Sequence, residues 1–142
     1  MTITTPNYTL LNHTADLGIK IHGTSLVDLF ESAGNALVHV MLGNKIPGKT
    51  RSRQISVSGD DLADLMVRWL GEILYLLEGE DLVVTSVSID SLTSSQLEAT
   101  LDTVPFDPQI HEILNEIKAV TYHQIEVTNK DDIWEAKIIF DL

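Results

Sequence analysis

The stretch from Asp60 to Leu92, DDLADLMVRWLGEILYLLEGEDLVVTSVSIDSL, decides the fold class. Its first half places Leu62, Leu65, Met66, Trp69, Leu70, Ile73, Leu74 and Leu77 on one helical face, the strongest such period in the chain. Asp60 or Asp61 supplies the N-cap, the helix runs to about Leu77, and Gly79 reads as the stop. The second half changes character at once. Leu82 to Leu92 is rich in Val, Ile, Ser and Thr, the composition of a strand.

Working downstream, Gln96 to Val104 alternates through Leu97, Ala99 and Leu101. A loop with Pro105 and Pro108 follows. Ile117 to Thr128 and Ile133 to Phe140 read as two more strands, with Asn129-Lys130-Asp131-Asp132 as their turn. Consecutive strands with short turns predict antiparallel neighbours. Working upstream, Arg51 to Ser58 alternates as a strand. Ser25 to Leu42 reads as a helix, with Ser25 and Asp28 resembling a capping box and Gly43-Asn44 as the stop. Tyr8 to Leu11 and Leu17 to His22 read as short strands. Helices and strands do not alternate strictly. The expected class is therefore α+β, one domain over 1–142, with two helices packed on a mostly antiparallel β-sheet and no internal repeat.

Composition narrows the function. The 142 residues, 44% hydrophobic, suffice for a sizeable core, so a globular and not a disordered chain is expected. Without cysteine there is no disulfide scaffold, thiolate metal site or cysteine nucleophile. No run approaches the roughly 18 apolar residues of a membrane helix, and Met1 to Pro6 lacks the features of a signal peptide. The cytoplasm is the expected location. Twenty-one acids against 9 bases give a net charge of −12. Nucleic-acid affinity draws heavily on Lys and Arg, and here the nearest approach to a basic cluster is Lys49, Arg51 and Arg53. Tight direct nucleic-acid binding is not expected. Metal cations and basic protein surfaces suit this charge better.

No phosphate loop, Gly-x-Ser-x-Gly or His-Glu-x-x-His motif is present. Two polar stations stand out. His13-Thr14-Ala15-Asp16-Leu17-Gly18 holds an imidazole and a carboxylate three residues apart, in a break between strands. Phe140-Asp141-Leu142 carries a carboxylate, and then the terminal carboxylate, straight off a strand. Paired carboxylates suit a hard cation such as Ca²⁺, Mg²⁺ or Mn²⁺; an imidazole would shift the preference toward a transition metal. The plainer readings are a turn or cap for His13 and Asp16 and a solvated end for Asp141. His22 and His39 read as a strand and a helix-surface residue, Trp69 and Trp134 as core aromatics, and Lys118 as a residue on the polar face of a strand.

Taken together these segments resemble the archease family. The resemblance rests on His13-Thr14-Ala15-Asp16-Leu17-Gly18, Gly23, Leu29-Phe30-Glu31, Trp69-Leu70 with Glu72-Ile73-Leu74-Tyr75-Leu76, Ile117-Lys118-Ala119-Val120-Thr121-Tyr122-His123 and Phe140-Asp141-Leu142, spanning residues 8 to 142. It implies an α+β fold and an accessory protein, not an enzyme. Archeases assist the GTP- and metal-dependent RNA ligase of tRNA splicing, promoting its guanylylation and multiple turnover. The resemblance also implies a divalent metal ion held by Asp16 and Asp141, with the carboxylate of Leu142 and His13 as further candidates, and an activity-linked lysine at Lys118. The chain departs from the family pattern at Gly71, at Thr103-Val104 and at Ile110.

Two other readings carry distinct expectations. A stand-alone metal-dependent hydrolase would use Asp16, Asp141 and His13 to hold a metal-activated water, with Glu72 or His123 as base. A chaperone-like binding module would show an exposed apolar patch.

Overall fold

Two strand-to-helix corners organise the molecule, and both use the same residues. Gly23-Thr24-Ser25-Leu26-Val27-Asp28-Leu29 and Gly59-Asp60-Asp61-Leu62-Ala63-Asp64-Leu65 share a Gly-x-x-Leu-x-Asp-Leu pattern. The N-cap side chain, Ser25 or Asp61, accepts from the N–H of Asp28 at 3.0 Å or of Asp64 at 2.8 Å. Each aspartate reaches back and accepts from the N–H of Thr24 at 2.9 Å or of Asp60 at 2.8 Å. These resemble capping boxes, with Asp in the acid position and its return bond taken one residue before the N-cap. The glycine is required by close approach. A Cβ on Gly23 would lie 2.6 Å from the Leu29 nitrogen, and one on Gly59 would lie 2.7 Å from the Leu65 nitrogen.

The computed structural model describes residues 7–11, 16–43 and 46–142. Its elements run β1 (Tyr8–Leu11), β2 (Asp16–Gly23), α1 (Leu26–Leu42), β3 (Arg51–Ser58), α2 (Leu62–Glu80), β4 (Leu82–Leu92), β5 (Gln96–Pro105), β6 (Ala119–Lys130) and β7 (Ile133–Asp141). One sheet has the order β1-β2-β7-β6, the other β3-β5-β4, and every pairing is antiparallel. The α+β class with two helices is as expected; the single sheet divides in two. β5 and β6, consecutive in sequence, lie in different sheets.

The strand orders contain a repeat that the sequence reading missed. β3-α2-β4-β5 is a βαββ unit whose last strand sits between the other two. β2-α1-β6-β7 has the same arrangement, and the first unit is inserted between α1 and β6 of the second. The helices interlock the two units. α1 packs on β2 and also on β4, while α2 packs on β3 and also on β6. The shared core joins Ile19, Ile21, Ile138 and Phe140 of one sheet to Leu97, Ala99 and Leu101 of the other through Phe30, Leu37, Trp69 and Leu70. Trp69, fully buried, donates its indole N–H to the Phe30 carbonyl at 2.9 Å, linking the helices.

Gly79 does not end α2. The helix continues to Glu80, and Asp81, with φ 53° and ψ 39°, caps it by donating its N–H to the Leu76 carbonyl. Gly79 lies inside the helix with the Tyr75 ring over it, where a Cβ would come to 2.5 Å. β5 extends through Thr103 and Val104, both buried, to Pro105. Gly71 is different from the other helical glycines, since nothing lies within 4 Å of a Cβ built there. Gly71→Ala is expected to stabilise the protein by about 0.5–1 kcal/mol, read as a raised midpoint in urea at unchanged slope. Among the described residues no helix is long and apolar enough to cross a membrane.

Candidate metal centre

β2 begins one residue before the expected Leu17, which brings Asp16 into the sheet. There Asp16 lies directly opposite Asp141, and Asp141 in turn lies opposite Ala119. Directly opposed residues share a face, and neighbours along a strand alternate. Leu17 and Phe140, the next pair, belong to the core side. Asp16, Asp141 and Ala119 therefore stand together on the outer face. Two carboxylates in that relation repel one another.

The inserted unit supplies an internal comparison. Aligned on Gly23 and Gly59, Asp16 corresponds to Ser52, and through the pairings Asp141 corresponds to Asp102 and Ala119 to Ser86. Asp102 is answered by hydrogen-bond donors on both sides: Ser52 Oγ donates at 3.2 Å and Ser86 Oγ at 2.9 Å. In the outer unit a second carboxylate and a methyl group occupy those places. One aspartate is satisfied by hydroxyls within its sheet, whereas the other faces a like charge. That difference suits Asp141 to a cation.

A further polar group nearby fits the same donor chemistry. Thr121 lies opposite Ile139, hence on the Asp141 face, and its hydroxyl is buried with no hydrogen-bond partner among the described residues. Oxygen donors of this kind suit a hard cation or a water bound to one. An orphaned hydroxyl costs about 1–3 kcal/mol. Thr121→Val, of equal shape, is therefore expected to raise metal-free stability by about 1 kcal/mol in calorimetry.

Lys118 was expected inside a strand; it lies just before β6, its side chain exposed, and its N–H donates to the Asp141 carbonyl at 2.8 Å. Leu142 follows β7 and is exposed. His13 lies outside the described residues. Among the described residues no group of three or more His, Asp or Glu side chains forms at metal-holding range. Glu72 sits on α2 beside a cavity shared with Ser56, Ser58 and Arg68, between α2 and β3 and apart from the carboxylate pair. His123 lies in an irregular part of β6 between Thr121 and Glu126.

That irregularity is tethered by a contact the sequence did not reveal. Tyr122 donates its hydroxyl to Asp64 at 2.6 Å, and Arg68 donates to the same carboxylate at 3.0 Å. The Tyr122 hydroxyl, aided by the Asp60 N–H and Arg68, holds the Asp64 carboxyl below the usual carboxylate range. The same bond pushes the Tyr122 phenol above its usual range. β6 is thereby fixed on α2 just beyond the strand segment that flanks Asp141.

The family model described as Archease protein family (MTH1598/TM1083) matches residues 8–142. This chain belongs to the archease family. Protein archease of Methanosarcina acetivorans is 33% identical over 140 residues, covering 95% of each chain. Protein archease of Pyrococcus abyssi is 34% identical over 134 residues, covering 92% of this chain and 94% of its own. The solution structure of Methanobacterium thermoautotrophicum protein 1598 matches with a TM-score of 0.69 at 27% identity, over 95% of this chain and 98% of that one. A crystal structure from Thermotoga maritima, described as an archease and possible chaperone, shares the fold with a TM-score of 0.64 at 21% identity, over 93% and 94% of the two chains. The two helices and antiparallel sheets are thus the archease fold.

Proposed function

We propose that this chain is a metal-carrying accessory protein of a GTP-dependent tRNA-splicing RNA ligase, promoting the ligase's guanylylation and multiple turnover without catalysing a reaction of its own. The observation that carries the reading is the Asp16–Asp141 pair, set against its hydroxyl-satisfied counterpart at Asp102. Asp16 and Asp141 would hold a divalent cation, Ca²⁺, Mg²⁺ or Mn²⁺, through carboxylate oxygens, with His13 as a further donor in this reading. When bound, the ion supplies positive charge where two carboxylates otherwise repel.

The chain's own residues set up that site in definite ways. The β2–β7 ladder fixes the spacing of the two carboxylates, and the Lys118 N–H holds the Asp141 main chain at the end of the sheet. The Lys118 side chain is exposed and can meet a phosphate or carboxylate of the partner. The net charge of −12 favours encounter with a basic RNA-handling enzyme and disfavours competition for its RNA. The test is guanylylation and multiple-turnover joining by the cognate ligase with and without this protein. Stimulation of both supports the proposal; a folded, metal-loaded protein that stimulates neither overturns it.

A further inference from the structure

The two segments that connect the outer unit to the inserted one meet on the surface. The end of α1 and residues 46–50 lead into the inserted unit, and residues 106–118 lead back out of it. Between them lies a cavity of about 220 Å³ lined by Leu42, Ile46, Pro47, Ile110, His111 and Leu114, among others. Ile110 and Leu114 of that lining, and Ile113 between them in sequence, are exposed by 53, 55 and 39%. Three large aliphatic side chains within five residues cost free energy in water, and a slack loop would turn them inward.

This loop is not slack. Leu114 donates its N–H to the Met41 carbonyl at 2.7 Å, and the Asn115 amide donates to the Val40 carbonyl at 2.7 Å, so the loop satisfies the end of α1. His111 accepts the Asp107 N–H on Nδ1 at 2.9 Å, which places its proton on Nε2, where it donates to the Pro47 carbonyl at 2.7 Å. The Phe106 ring stacks on the His111 ring, and Ile117 is buried in the core. Both ends and the middle are held, and the aliphatic side chains are presented to solvent by construction. Preorganised apolar anchors of this kind concentrate binding energy because little ordering remains to be done.

The charge around them selects the partner. From Phe106 to Ile117 the chain has Asp107, Glu112 and Glu116 and no Lys or Arg. An apolar centre with an acidic border fits a protein surface with an apolar protrusion bordered by Lys and Arg. The loop then runs straight into Lys118, whose N–H is bonded to Asp141.

We infer that the loop of residues 106–117 is the docking surface for a basic protein partner, seating an apolar protrusion on Ile110, Ile113 and Leu114. The inference rests on the ligase reading for the identity of that partner. The test is surface plasmon resonance of the full chain on the cognate ligase at several salt concentrations. The double variant Ile110→Asp with Leu114→Asp is expected to bind at least ten-fold more weakly while keeping the wild-type melting temperature and metal content. Glu112→Lys with Glu116→Lys is expected to slow association and flatten the salt dependence. A wild type that binds, with an aliphatic double variant that binds equally well, overturns the docking inference and leaves the ligase reading standing. A wild type that neither binds nor stimulates the ligase overturns both. Sedimentation velocity supplies the other contrary outcome: self-association lost in the double variant would assign the surface to a second copy of this chain.

Discussion

Asp16→Ala and Asp141→Ala are each expected to reduce ligase guanylylation and turnover to the level of the ligase alone, with the fold intact. The two carboxylates stand opposite each other on neighbouring strands, so removing either takes away one of the two paired oxygen donors that suit the site to a hard cation. The loss of metal affinity should exceed the roughly 10–100-fold typical of groups that only support a ligand. Metal-free stability moves the other way at Asp141. Asp141→Asn removes a like-charge pair and should stabilise the metal-free chain by about 0.2–1 kcal/mol, while abolishing stabilisation by added metal. A folding defect would lower both quantities. Calorimetry with and without metal therefore separates a binding residue from a structural one.

The largest expected loss of stability comes from the paired glycines. Gly23→Ala and Gly59→Ala each drive a methyl group into backbone, at 2.6 Å from the Leu29 nitrogen and 2.7 Å from the Leu65 nitrogen. Helix backbone cannot yield as a flexible side chain does. Moving it apart loosens the capping box that starts the helix, with Asp28 in one unit and Asp64 in the other. Each substitution is expected to cost at least about 2–3 kcal/mol, the upper part of the range for overpacking, seen in urea unfolding. Similar losses at both positions would show that the two corners are energetically equivalent. Gly71→Ala, with open space around it, should act in the opposite direction.

The helices were legible because their apolar residues recur at one period over many turns. α1 and α2 sit where Leu29, Phe30 and Leu37, and Leu65, Trp69 and Ile73, place them. Their ends were less so: Gly79 looked like a stop, yet Asp81 in the left-handed region provides it. The division into two sheets was not legible, because β2 pairs with β7 from the other end of the chain and local pattern carries no information about that pairing. The repeat stayed hidden because the units share little beyond Gly, Leu and Asp at their corners, and one unit interrupts the other. Asp16 and Asp141 entered as separate stations, and only the register makes them neighbours. Thr121 and the contrast with Ser52, Asp102 and Ser86 needed that register as well.

The contrast between the units also defines the decisive substitution. Asp16→Ser gives the outer unit the residue that the inserted unit carries at Ser52. Isothermal titration of Ca²⁺, Mg²⁺ and Mn²⁺ into wild type and into Asp16→Ser tests the metal centre without needing the ligase. The account predicts binding of a divalent cation by wild type, and a folded Asp16→Ser protein that has lost it. Equal binding by the two proteins, or no binding by a folded wild type, would contradict it.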